Sequence, residues 1–192
     1  MAHKSSGGKR SAKPSSDELL WLETYFILIS RKRRPTLAQV EHALAEADSR
    51  LQLDNLAADD DGLFQSLLVD SREDHAAVEV SYETGESVIE QNLEWAKQLQ
   101  DLLSPKQLQQ IVSADARLDI VHFERVQAGA ARTNPTRQLD DFASADDPDA
   151  GDEFDEEASM ESFDPTCLLT VVEALSSLTK GLAFDPASGE VL

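Results

Sequence analysis

Between Asp140 and Asp164 the chain carries twelve acids and no Lys or Arg. Such a run repels itself and resists packing, so it decides which parts of the chain are free to build a core. The stretch leading into it holds Ala-Gly-Ala-Ala and Thr-Asn-Pro, and apolar residues are scattered through the acids at Phe142, Phe154, Met160 and Phe163. That pattern is typical of disordered segments that take part in interactions. Residues 127–164 are therefore expected to be a disordered acidic linker. Residues 1–16 are rich in Ser, Gly and Lys, with four bases and no acid, and read as a disordered basic tail. The fold must come from an αβ domain over 17–126, with 165–192 supplying a C-terminal helix and hairpin packed on it. With 41% hydrophobic residues overall, these parts have enough apolar content for a core.

The formal net charge of -20 is an average over unlike parts. The basic tail contributes +4 and Asp140 to Asp164 contributes -12. A chain this acidic is a poor generic binder of nucleic acid, and anionic lipid surfaces repel it. It has no apolar run near the roughly 20 residues that cross a bilayer. No apolar signal core follows the bases at Lys4, Lys9, Arg10 and Lys13. The one cysteine, Cys167, rules out an intrachain disulfide and fits a reducing compartment. The expected location is cytoplasmic, and no membrane partner is expected.

The element order follows from periodicity. Trp21 to Ser30 is aromatic and β-branched and ends in a continuous apolar run, which reads as a central strand buried on both faces. Thr36 with Gln39 forms a capping-box pattern ahead of a helix to Arg50, with Leu37, Val40, Leu44, Ala47 and Leu51 on one stripe. Leu63 to Asp70 and His75 to Glu83 flank a polar turn and read as a hairpin, the second strand alternating with period 2. A long helix follows, with Ser87 and Glu90 as a second capping-box pattern and an apolar side from Val88 to Leu103. Ser104-Pro105 with Gln107 starts a fresh helical turn. Arg117 to Val126 reads as a strand. Asp164-Pro165 then caps a helix to about Thr179, which Gly181 ends, and Leu182–Phe184 with Glu190–Leu192 forms a terminal hairpin. The β-α-β-β-α-β order implies an α+β fold of the ferredoxin-like, split βαβ kind, with helices on one face.

The run Arg31, Lys32, Arg33 and Arg34 stands where the first strand gives way to the first helix. A helix N-terminus adds positive character there, so the run is a candidate site for an anion or a partner, and the acidic segment 140–164 is a candidate to shield it. Asp59-Asp60-Asp61-Gly62 lacks the acid spacing of a calcium loop and reads as turn chemistry. His3, His42, His75 and His122 share no metal-ligand spacing, and His122 reads as a structural core residue. Asp70, Glu79 and Asp119 suggest a nuclease carboxylate set, but the required lysine after Glu79 is missing. Cys167 sits in a helix's first turn and reads as a small buried residue. Tyr25 and Tyr82 are candidate base-stacking aromatics on a sheet, without the rest of an RNA-binding pattern. No phosphate loop, nucleophile elbow or zinc spacing is present, so no metal and no cofactor is expected. The leading expectation is a non-catalytic module for protein interaction or regulation, with an acidic arm and another protein as partner. Anion or nucleic-acid binding through Arg31 to Arg34 comes second, with nucleic acid disfavoured by the net charge. An enzyme whose acids converge only in the fold comes third.

Overall fold

The computed structural model describes residues 18–126 and 165–192. The two low-complexity stretches, 1–16 and 127–164, lie outside the described residues, so the expectations placed on them are not addressed by it. The elements are β1 (Glu18–Ile29), α1 (Leu37–Ala47), β2 (Gln52–Ala58), β3 (Phe64–Ser71), β4 (Ala76–Thr84), α2 (Glu86–Gln98), α3 (Pro105–Ser113), β5 (Ala116–Val126), α4 (Thr166–Thr179) and β6 (Leu182–Phe184). The fold is α+β, built on one six-stranded sheet in the order β2-β3-β4-β5-β1-β6. Every pairing in it is antiparallel.

Two parts of the ferredoxin-like expectation are corrected. That topology needs β1 beside β4 in parallel, but β5 lies between them and pairs antiparallel with both. The helices also occupy both faces of the sheet. On one side α1 and α4 bury Val40, Leu44, Leu168, Val171 and Leu175 against Ile27, Ile29, Val78, Val80, Leu118 and Ile120. On the other, α2 and α3 bring Ala96 and Ile111 onto Leu28 and Leu182, with Phe26 and Trp95 stacked beside them. Apolar residues on both sides of the β1 C-terminal half demand this double cover: Ile27, Leu28 and Ile29 are all buried.

Local signals behave as their chemistry dictates, with instructive exceptions. The Thr36/Gln39 and Ser104/Gln107 capping boxes both form, and Pro105 occupies the first turn of α3. Ser87 and Glu90 do not cap α2, because Gly85 (φ 128°) takes that position and the helix already begins at Glu86. Strand β2 was not foreseen. Its sequence Gln-Leu-Asp-Asn-Leu-Ala-Ala is mostly polar or small, it lies mostly exposed at the sheet edge, and Asn55 breaks its ladder with φ 52°. Helix α4 ends at Lys180, which is left-handed at φ 54°. Gly181 follows because a Cβ there would run into the side chains of Ile27 and Ile29. The C-terminal hairpin forms, with Phe184 bridged to Val191.

Candidate functional site

The basic run folds as a single tight turn, Arg31–Arg33, between β1 and α1. Three of its four cations have partners in the domain. The Arg31 backbone N–H donates to Asp115 Oδ1 at 2.6 Å and its Nε to Oδ2 at 3.3 Å. The first of these bonds is the main reason the Asp115 carboxyl titrates below its ordinary range. Arg33 Nη1 donates to the Lys180 carbonyl at 2.9 Å, satisfying the end of α4. Arg34 reaches inward, its side chain only 16% exposed. Its Nε donates to the Phe64 carbonyl and its Nη1 to Asp59 Oδ2, each at 2.8 Å. Its guanidinium lies 4.2 Å from the centre of the Tyr82 ring. The run is thus partly a clamp joining β1, β3, β5 and α4. Arg31, Lys32 and Arg33 remain on the surface.

Asp59 is the acid of that clamp. It also accepts the N–H groups of Leu63 (2.9 Å) and Asp61 (3.1 Å), and the Leu63 bond is the main cause of its lowered pKa. This is the expected turn, with Gly62 at φ 76°. Among the described residues no group of three or more His, Cys, Asp or Glu is placed to hold a metal ion.

Asp70, Glu79 and Asp119 do share one sheet face, on β3, β4 and β5, as their register shows. They do not form a free carboxylate cluster. Asp119 is held by Arg117 at 2.5 Å and 3.1 Å, and Asp70 by Arg125 at 2.9 Å. Burial outweighs Arg117 and lifts the Asp119 carboxyl above its ordinary value. Arg117 is itself buried, 4.3 Å from the centre of the Phe26 ring, with Nη1 donating to Gln91 Oε1 at 2.6 Å. The three acids therefore sit within structural ion pairs or, for Glu79, in solvent.

His122 is buried in β5, with Nδ1 3.4 Å from Glu23 Oε1 on the neighbouring strand. Burial lowers its pKa, and Glu23 only partly offsets this. His42 is exposed beside Glu46, and His75 is exposed at the β3–β4 turn with φ 50°. Cys167 is buried. Tyr25 and Tyr82 do not form an open stacking platform, since both pack against the core on the side covered by α1 and α4. A groove of about 600 Å³ lies between α1 and α4, lined by Ala43, Ala47, Ala174 and Ser177 with Glu46 and Glu173.

The sequence reading missed the outer end of β1. β6 pairs only with Phe26, Ile27 and Leu28, so among the described residues no strand lies against the outer edge of Glu18–Tyr25. There Leu19, Leu20 and Trp21 are 40%, 43% and 60% exposed. The expectation of a strand buried on both faces holds only for its second half. The available signal was length: the apolar run of β1 is far longer than the Leu-Ala-Phe strand that covers it.

Compared with protein-family models, with curated proteins and with solved structures, the chain matches none. Among the described residues no helix is long and apolar enough to cross a membrane.

Proposed function

We propose that the chain is a non-catalytic module for protein interaction, acting in the cytoplasm, and that the outer edge of β1 is its docking surface. One observation carries the reading: an edge against which no strand lies among the described residues, combined with three exposed large apolar side chains at Leu19, Leu20 and Trp21. Free strand edges of this kind are templates for strand addition, and proteins that have no use for them blunt them with charge, proline or a covering element. β2, at the opposite edge, is blunted by irregular register and polar residues. The run of twelve acids between Asp140 and Asp164, which follows β5 in sequence, is read as a second, charged contact for such a partner.

A photoactivatable phenylalanine analogue in place of Trp21 tests the reading in the full chain. It should cross-link to protein well above the level given by the same probe at Leu102, an isolated exposed leucine. Equal labelling at the two positions would count against a docking edge.

A second reading, anion binding at Arg31, Lys32 and Arg33, is favoured by the exposure of these three cations just before the α1 N-terminus. Arg34, committed to Asp59 and Tyr82, contributes to that site only by holding the turn in place.

A further inference from the structure

We propose that the uncovered part of the sheet face beside α2 and α3 docks a basic amphipathic helix of another protein. This goes beyond the strand-edge reading, because it uses side chains on a face rather than backbone at an edge, and it shares only Leu19 and Trp21 with it. Register places the face. On β5, Leu118 and Ile120 pack beneath α1 and α4, so Asp119, Val121, Phe123 and Arg125 belong to the opposite side. On β1, Trp21 lies beside Phe123 and Thr24 beside Val121; on β4, Ala77 and Glu79 hold the matching places. Helices α2 and α3 cover one end of this side, around Phe26 and Leu28. Beyond that end, Trp21, Val121 and Phe123 belong to neither apolar core. Val121 and Phe123 are half-buried. Trp21 is exposed, its indole N–H donating to Thr24 Oγ1 at 3.2 Å, so the ring is held in place along the strand.

Backbone chemistry, size and charge select the occupant. The N–H and C=O groups inside the sheet are used by its ladder, so a segment laid on the face must satisfy its own, as a helix does. The stretch of β5 from Asp119 to Arg125 spans about 20 Å, and neighbouring strands are about 4.8 Å apart. One helix, about 10–12 Å across, therefore covers the β1, β5 and β4 part of the face. Charge divides this face as it divides an amphipathic helix. The β1 and β5 side is apolar at Trp21, Val121 and Phe123. Glu79 on β4 and Asp54 on β2, aligned through Leu68, are exposed acids. Asp119 and Asp70, on the same face, are already held by Arg117 and Arg125. A helix with an apolar stripe over the first group and Lys or Arg over the second is complementary to both. The chain itself supplies no such helix. A second copy would set the same acids against each other, the stretch from Asp140 to Asp164 carries twelve acids, and residues 1–16 have bases but no apolar stripe.

Anisotropy of a labelled peptide titrated with the full chain tests this. The probe is a peptide of leucine and lysine of about 14 residues, long enough as a helix to span the face, with its leucines on one stripe. Saturable binding is expected, with NMR shifts at the Trp21 indole N–H and the amides of Val121 and Phe123. Val121→Thr with Phe123→Thr, which keeps strand-forming residues, should weaken binding about tenfold or more at low and high salt alike. Glu79→Gln with Asp54→Asn should weaken it about threefold at low salt and hardly at all at high salt. Leu102→Thr, away from the face, should leave it unchanged. A scrambled peptide of the same composition, without the stripe, should bind about tenfold more weakly. Circular dichroism checks that the threonine pair is folded, and Val121→Thr alone is the milder variant if it is not. Absence of saturable binding overturns the proposal. So does equal binding of the scrambled peptide or indifference to the threonine substitutions, either of which means attraction by charge alone. The strand-edge reading is separated by the Trp21 cross-link. If peptide binding ignores the threonine pair and the cross-link persists, the edge docks a partner without this face. If the threonine pair removes both, Trp21 acts from the face and the edge reading falls.

Discussion

At the residue scale, the basic run illustrates how one sequence cluster divides its work. Arg34 replaces water for an aspartate and two backbone carbonyls and covers a tyrosine ring, whereas Lys32 stands in solvent. Arg34→Ala should therefore destabilise the domain by about 1–3 kcal/mol, because it strands partly buried acceptors. Lys32→Ala should stay within about 0.5 kcal/mol of wild type. Urea midpoints of both variants check the contrast. His122 gives a pH prediction with a definite sign. Its folded pKa lies below the unfolded value of 6.5, so the unfolded chain binds more protons as pH falls through that value. Its contribution to stability is present above pH 6.5 and lost below it. The lowered Asp59 and Asp115 act in the same direction, but only below their unfolded value of 3.8. A drop in the urea midpoint between pH 7 and pH 5 should therefore be smaller in His122→Phe, and an unchanged drop would remove His122 as its source.

At the element scale, the helix starts separate a motif from its use. Thr36→Ala and Ser104→Ala should each cost about 1 kcal/mol, since both hydroxyls accept a bond from the third helical N–H. Ser87→Ala should cost almost nothing, because Ser87 lies inside α2 behind Gly85. Thermal melts of the three variants rank them directly. The same contrast shows what was legible in the sequence and what was not. The two capping boxes, the β3–β4 hairpin, β5 and the α4 stripe are written in nearest-neighbour chemistry and could be read from it. β2 could not, because an exposed edge strand needs no hydrophobic alternation, and Gln52–Ala58 has none. Sheet order was equally hidden. β4 and β5 are neighbours because two helices, α2 and α3, return the chain beside β4 on one face, and no local pattern encodes that return. The exposed outer edge of β1 was missed for the opposite reason. The β1 apolar run was visible, but nothing in its own residues reveals that its neighbour β6 is only three residues long.

At the scale of the whole molecule, charge and contact area are segregated. Bases lie in the N-terminal stretch and at the β1–α1 turn, and twelve acids lie between Asp140 and Asp164. The folded part between them uses its arginines internally: Arg31, Arg34, Arg50, Arg117 and Arg125 all face carboxylates. Long-range attraction of polyanions is therefore weak, and any anion affinity must be local to the N-terminal bases or to Arg31, Lys32 and Arg33. This sets a sharp test of the second functional reading. Anisotropy of a labelled single-stranded DNA 20-mer should show little binding to the full chain at low salt. Removing Asp140 to Asp164 deletes twelve acids without touching a base, so binding through the turn should then strengthen and fall steeply with added salt. Lys32→Glu with Arg33→Glu in that background should remove the gain, more than removal of residues 1–16 does, while leaving Arg34, and with it the fold, in place. If deletion of the acids leaves affinity unchanged, neither shielding by the arm nor an anion site at the turn survives. The bases of the turn then act only within the domain.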